Sequence, residues 1–473
     1  MKVNLTAQAY PARRSYLFIW WLTALFFGVV VTRLIAPYQS PDENVHHWRA
    51  AMLANGQVLL EPSAHGVREG GLIDKHFEAY SHAAAQMRAG NPANDPDQWR
   101  HFQELGDRVH WAGREVPVVA AGTGYYTPVL YLPHAVAIWI AQQLDLSMTN
   151  TYELIRAVVI GSALAIVFYA CSIWRPNVLM LMLVLTPISL FQWYSPTVDG
   201  LSNALLILLL ALWLRVSRAD SGARSLRDEV LIYAIVFIIS TTRTHLLPTL
   251  LIPATLLVQR FSGRRLLALG ALTLCVLGWQ GFAASVSGQN FLKRQHSTSE
   301  IIWIYAANPM EFLRALGRTF ESERQVDFYV KSFVGTLGWL DVPLKNSKVQ
   351  VVYGFLAAGL GLTIWSGVPW LRRDLITRVS AVVMGVSSGL IAFLALAVSW
   401  NDYPTQEING IQGRYMIPVA VILAFGAGSL ELNRKYRKSE LALLLVFVMY
   451  SVHETVKLLL RYYHLNPLDK WLS

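Results

Sequence analysis

Eleven apolar runs, separated by short polar or charged stretches, restrict what this chain can fold into. They fall near residues 16–36, 153–173, 178–194, 199–215, 229–242, 246–259, 266–284, 349–370, 379–399, 413–431 and 439–461. A helix needs about 20 residues to cross roughly 30 Å of hydrocarbon. Lipid offers no partner to a peptide group, so segments of this kind must be helical. Composition agrees, because 54% hydrophobic residues and only 15% charged ones lie outside the range of an ordinary soluble domain. The expectation is an all-α polytopic membrane protein with about 11 transmembrane helices.

A twelfth apolar run, 127–144, decides the orientation of everything after it. If it lies in the interface, the basic groups Arg13/Arg14, Arg175, Arg215/Arg218/Arg224/Arg227, Arg260/Arg264/Arg265, Arg372/Arg373/Arg378 and Arg434/Lys435/Arg437/Lys438 all share one face. The positive-inside rule assigns that face to the cytoplasm. If it crosses, they are divided between both faces. The first arrangement is expected, with the N-terminus inside as an uncleaved first span and the C-terminus outside. The formal net charge of +10 is then an orientation signal, and nucleic acid is not an expected partner. Cys171 and Cys275 each sit within an apolar run, so no disulfide framework is expected.

This topology leaves two large external segments, roughly 37–152 and 285–348, with short external loops near 195–198, 243–245 and 400–412. The first is too long for a connector. Its interspersed tryptophans and acids, Trp99, Trp111, Asp95, Asp97, Glu104 and Asp107, suggest soluble or surface-lying helices.

Chemistry concentrates at the boundary of that segment. In YQSPDENVHHWRA, Tyr38 to Ala50, Ser40 is expected at an N-cap, Pro41 at N1 and Glu43 at N3 of a capping box. Acids in a first helical turn also complement the helix dipole. His46 and His47 follow one turn after Asp42 and Glu43, on the acids' face. A carboxylate with an imidazole is either a general-base arrangement or a metal site, with Asp42, Glu43 and His46 as ligands of a divalent ion such as magnesium or manganese. Asp199, in SPTVDGLSNA at the start of a span, is an acid in a costly place. Arg243 and His245, in TTRTHLLP, and Arg414, in IQGRYMIP, sit on the external side, against the positive-inside bias. Two such arginines suit a phosphate; snorkelling toward lipid headgroups is the alternative. His46, Tyr415 next to Arg414, and Tyr126, in a segment leading into LYLPH that reads as an interfacial helix with aromatic anchors, are substrate-binding candidates. So are Trp339 and Asp341 of GTLGWLDVPL, a ring that could stack on a sugar and an acid that could hold hydroxyls, unless that segment is only a turn.

Taken together, YQSPDENVHHWRA, YYTPVLYLPHAVA, LTPISLFQWYSPTVDGLSNAL, TRTHLLP, GTLGWLDVPL and QGRYMIP, in that order, resemble a bacterial family of polytopic membrane proteins catalogued as a domain of unknown function and related to the GT-C glycosyltransferases. The likeness runs from residue 38 to 418. It implies a GT-C type fold, with residues 1–283 as a GT-C-like transmembrane module including external loop 37–152, 284–348 as an external loop, and 349–473 as C-terminal transmembrane helices. Enzymes of that type move a sugar from a polyprenyl-phosphate carrier to an acceptor on the outer face of the membrane. By that likeness Asp42 or Glu43 would be the catalytic acid residue, Asp199 a second acid in the same cavity, and Arg243 and Arg414 the binders of the carrier phosphate. The family usually carries a lysine followed by proline in the basic turn, where this chain has Arg243-Thr244-His245. It usually carries one histidine after the acids, at the position of His46.

The expected activity is therefore inverting transfer from a polyprenyl-phosphate sugar to an envelope glycan or lipid acceptor, in a bacterial cytoplasmic membrane with the active site facing outward. No glycine-rich nucleotide loop is evident, in keeping with a lipid-linked donor. A transporter or flippase of lipid-linked glycans, and a glycan polymerase or ligase, remain open as other readings.

Overall fold

The structure is a computed structural model that describes residues 24, 27–62, 68–87, 96–218, 225–287, 294–368, 374–432 and 436–464. Arg13, Arg14, Asp95, Arg224, Lys293, Arg372, Arg373, Arg434 and Lys435 lie outside the described residues, as does most of the first expected span. That span is represented by helix α1, residues 27–34.

The chain is an all-α membrane protein. Six described helices are long and apolar enough to cross a bilayer: α6 (Met148–Ile173), α9 (Val198–Arg218), α12 (Gly263–Val286), α16 (Asn346–Gly367), α17 (Leu375–Ser399) and α19 (Lys438–Leu459). The other expected runs are shorter helices. Residues 229–242 lie in α10 (Leu226–Thr242), 246–259 in a 3-10 turn followed by α11 (Leu251–Gln259), and 413–431 in a 3-10 turn followed by α18 (Ile417–Ala427). The run 178–194 departs most from expectation. It breaks into α7 (Val178–Leu183) and α8 (Pro187–Tyr194), because Thr186 caps α8 through Ser189 N–H and Pro187 occupies its first turn. Both pieces are almost wholly buried, and a broken helix is tolerated at membrane depth when protein surrounds it.

Helix α9 is the central element. Most of its 21 residues are buried, in a core that includes Trp174, Trp213 and Phe425; Trp213 stacks on Phe425 and donates to Thr255 Oγ1 at 3.0 Å. Between helices in lipid, attraction comes from close packing and hydrogen bonds rather than water exclusion. The outer helices turn the opposite kind of surface outward. Leu267, Leu274, Val379, Val386, Leu445 and Met449 are all exposed, which in aqueous surroundings would be an aggregation surface and in a bilayer is the lipid-facing belt.

The two ends of α9 differ in chemistry. Around its C-terminus, Arg215 pairs with Asp228 at the start of α10, Arg218 with Asp374 at the start of α17, and Arg265 at the start of α12 with Glu229. Arg378 donates to Gly426 O near the end of α18 at 2.6 Å. These basic positions therefore gather at one end, as the charge pattern suggests. At about 1.5 Å per residue, the start of α9, with Asp199, is some 30 Å away.

The long segment after α1 packs over that opposite end. It comprises α2 (Glu43–Ala54), α3 (Lys75–Gln86), α4 (Pro96–Gly106) and α5 (Leu132–Gln143). It also contains an antiparallel sheet absent from the sequence reading, in the order β1 (Glu61–Pro62), β2 (Arg68–Asp74), β3 (Glu115–Val119), with Leu72 opposite Pro117. Asp74 ends β2 and caps α3, accepting from His76 N–H at 2.8 Å. Helix α5 holds 12 residues, about 18 Å, too short to cross, and packs against α2 and α6. Residues 294–334 form α13 (Thr298–Ala307), α14 (Pro309–Glu321) and α15 (Glu323–Val334), leading to a hairpin of β4 (Thr336–Leu337) and β5 (Val342–Pro343).

Candidate functional site

Four chain segments bring charge together at the start of α9. Asp199 lies in its first turn, Arg243 ends α10, Arg414 occupies the 3-10 turn before α18, and Asp42 immediately precedes α2. Arg243 and Asp199 form a direct ion pair. Arg414 lies between the two acids, with Nη1 at 3.5 Å from Asp199 Oδ2 and Nη2 at 3.9 Å from Asp42 Oδ2. The Arg414 side chain is only 5% exposed, whereas that of Asp42 is 59% exposed. Distances of 3.5 and 3.9 Å are ion-pair contacts, too long for hydrogen bonds. Arg414 Nε has no hydrogen-bond partner among the described residues. The guanidinium is thus held by charge and by Tyr415, with donors left over.

Local backbone chemistry explains each placement. The expected capping box is only half formed. Glu43 Oε2 accepts from Ser40 N–H at 3.1 Å, but Ser40 Oγ has no partner among the described residues, and the helix starts at Glu43 with Asp42 as its N-cap. Asp42 has φ of 63°, a left-handed conformation that aspartate adopts more readily than most residues. The turn aims the two adjacent acids apart. Asp42 stays exposed near Arg414, while Glu43 is fully buried and accepts from Tyr152 Oη at 2.6 Å. Tyr152 Oη in turn accepts from Arg156 Nη2 at 2.8 Å. Burial pushes the Glu43 carboxyl above its ordinary value, against the pull of Tyr152 and Arg156. Both oxygens of Glu43 are thus engaged, Oε1 in joining α2 to α6 and Oε2 in holding the turn that leads into α2.

Among the described residues no three His, Cys, Asp or Glu side chains are gathered as metal ligands. The expected trio Asp42, Glu43 and His46 is separated by the turn at Asp42 and by the partners of the other two. His46 Nδ1 is 2.7 Å from Tyr131 Oη, and its ring stacks on Tyr126 at 5.8 Å. Burial, and then the charge of Arg243, lower His46 to a pKa of about 3. A neutral imidazole here adds no positive charge to the arginines.

Tyr126 joins the cluster directly, since the Arg243 guanidinium lies over its ring at 5.7 Å. Arg414 lies over Tyr415 at 5.4 Å. His245 is within electrostatic reach of Arg243 and Asp199. Trp339 and Asp341 behave differently. Trp339 Nε1 donates to Tyr38 O at 3.0 Å, and a Cβ on Gly338, whose φ is 62°, would meet Asp341 Oδ1 at 2.3 Å. These contacts match the turn reading of GTLGWLDVPL, and they fasten the β4–β5 hairpin to the strand of chain entering α2.

His47, which the sequence marks beside His46, and further residues that it does not single out hold the frame. His47 Nε2 and His134 Nε2 both donate to Pro196 O, at 3.1 and 3.0 Å, so α2 and α5 together fix the loop that leads to Asp199. His47 Nδ1 faces Tyr38 Oη at 3.2 Å. Gln280 Nε2 donates to Ser240 O at 2.7 Å, steadying the end of α10 before Arg243. The Arg414 turn is seated by Gly413, whose N–H donates to Ser332 Oγ at 2.9 Å.

A Cβ at Gly413 would lie 2.1 Å from Phe333 N, a backbone atom that cannot step aside. Gly413→Ala is therefore expected to cost about 1–3 kcal/mol through overpacking. Thermal melting should reveal it, against Gly161→Ala as a control whose added methyl meets nothing within 4 Å. Equal melting of the two variants would contradict this account of the turn.

Comparisons with curated proteins and with solved structures found no match. A family model described as a predicted membrane protein, DUF2142, matches residues 25–423, a span that takes in every charged residue of the cluster. The chain therefore belongs to the DUF2142 family of predicted membrane proteins.

Proposed function

We propose that this protein is a membrane glycosyltransferase of GT-C type. It would cross the bilayer eleven times and move a sugar from a polyprenyl-phosphate donor to an envelope glycan or lipid acceptor at the outer face of a bacterial cytoplasmic membrane. The observation that carries this reading is the state of Arg414: buried, flanked by two acids beyond hydrogen-bond distance, and with donor capacity to spare. A guanidinium of that kind is suited to a bidentate phosphate. The neighbouring exposed Asp42 is suited to take a proton from an acceptor hydroxyl.

In the proposed step, Asp42 removes the hydroxyl proton as that oxygen attacks the anomeric carbon. The bond from that carbon to the phosphate oxygen breaks, and polyprenyl phosphate leaves as a monoester. The configuration inverts. The leaving group gains negative charge during the step, so Arg243 and Arg414 stabilise the transition state more than the ground state. Asp199 keeps the two arginines together before the donor arrives. Glu43, with both oxygens occupied, positions the Asp42 turn.

Binding tests the phosphate role. Hydrogen bonds to charged groups contribute about 1.5–3 kcal/mol, so Arg414→Ala should weaken binding of a polyprenyl-phosphate sugar by roughly 10- to 100-fold. Equal affinity in wild type and variant would remove the carrier phosphate from this site.

A further inference from the structure

A polar cavity lies away from the Asp199 cluster, between α1, α4, the start of α6 and the turn Leu460–His464 that follows α19. It encloses about 160 Å³, room for about five waters at roughly 30 Å³ each. Arg156 lies at its floor and Arg33, Arg100 and His464 line it, with Trp99 and Ile35 among its apolar wall. We propose that this cavity is an anion site for the phosphate of a membrane lipid headgroup.

One buried polar atom supports a ligand. Arg156 Nε has no hydrogen-bond partner among the described residues, although Nη1 and Nη2 are bonded to Thr32 O and Ile35 O. Charge also favours an anion. Glu153 pairs with Arg156 at 3.2 Å and Asp97 with Arg100 at 3.2 Å, which among the described residues lining the cavity leaves Arg33 as the excess cation. His464 donates from Nε2 to Leu34 O, so only its Nδ1 faces other partners. A lipid is the favoured source of the phosphate because exposed Phe27, Val29 and Val30 continue from the cavity along α1, giving acyl chains an apolar face. The floor also bears on the proposed reaction centre, since Arg156, Tyr152 and Glu43 form one buried chain to the Asp42 turn.

The test uses the full chain in phosphatidylcholine nanodiscs, with short-chain phosphatidylglycerol in one arm and inorganic phosphate alone in the other, read by native mass spectrometry. Wild type is expected to retain phosphatidylglycerol, and Arg33→Glu with Arg100→Glu to retain at least tenfold less. Both side chains are exposed, so the double variant should fold; Arg33→Lys with Arg100→Lys should restore retention. Binding in the inorganic phosphate arm, lost in the glutamate variant, would support the site with free phosphate as its ligand. Equal retention by wild type and the glutamate variant would overturn it. Arg414→Ala should leave retention unchanged, which separates this site from the proposed donor site.

Discussion

Asp42→Asn is expected to lower sugar transfer by about 10²–10⁴-fold, the usual range for loss of a general base, with donor affinity and thermal stability near wild type. The side chain is 59% exposed, so its charge carries little of the fold, and asparagine also tolerates the left-handed conformation at this position. Glu43→Gln should behave in the opposite way. Its carboxylate is buried between Tyr152 Oη and Ser40 N–H, so the variant should melt earlier, and its loss of transfer should follow its loss of folded protein. Transfer assays paired with melting curves separate the two. Activity retained in Asp42→Asn would assign the base elsewhere.

Asp199→Ala is expected to have the largest effect on stability. Its carboxylate stands between Arg243 and Arg414, and removing it leaves two buried guanidinium groups facing only the exposed Asp42, 3.9 Å from Arg414. Removing one partner of a buried ion pair costs about 3–5 kcal/mol. The deficit should be partly reversed by millimolar phosphate or by the donor, because either would supply the missing negative charge. Thermal melting of the variant with and without phosphate, against a chloride control of equal ionic strength, checks both statements. A variant as stable as wild type, or one indifferent to phosphate, would mean that the arginines are not an anion seat.

Much of this site is legible in the sequence, for a physical reason. Acids at span entrances and arginines on the less basic face are costly unless used, so Asp42, Asp199, Arg243 and Arg414 stand out before any contact is known. The structure brings them together with Tyr126, Tyr415, His46 and His245 nearby. What the sequence does not reveal is direction. Helical periodicity places Asp42 and Glu43 on a common face with His46, but the left-handed turn at Asp42 divides them. Beyond Ser40, the partner of Glu43 is Tyr152, itself held by Arg156, more than 100 residues away, and local spacing carries no trace of it. His47 and His134 meet at Pro196 O for the same long-range reason.

The fold has a similar division. Six spans stand out by length and apolarity, because those quantities are local. The break in 178–194 also had a local signal, Thr186 followed by Pro187, a helix start inside an apolar run. The small sheet of β1, β2 and β3 did not, because its strands are short and its middle strand, REGGLID, pairs with EVPVV 40 residues later. Strand pairing of that kind is set by tertiary context more than by propensity.

The most direct measurement is transfer of labelled sugar from polyprenyl-phosphate donors by the purified protein in proteoliposomes, comparing wild type with Asp42→Asn and Arg414→Ala. The account predicts a labelled, inverted product with wild type, almost none with either variant, and donor binding weakened only in Arg414→Ala. Labelled lipid that crosses the bilayer intact, with no sugar transferred from any donor, would contradict it and identify a carrier instead.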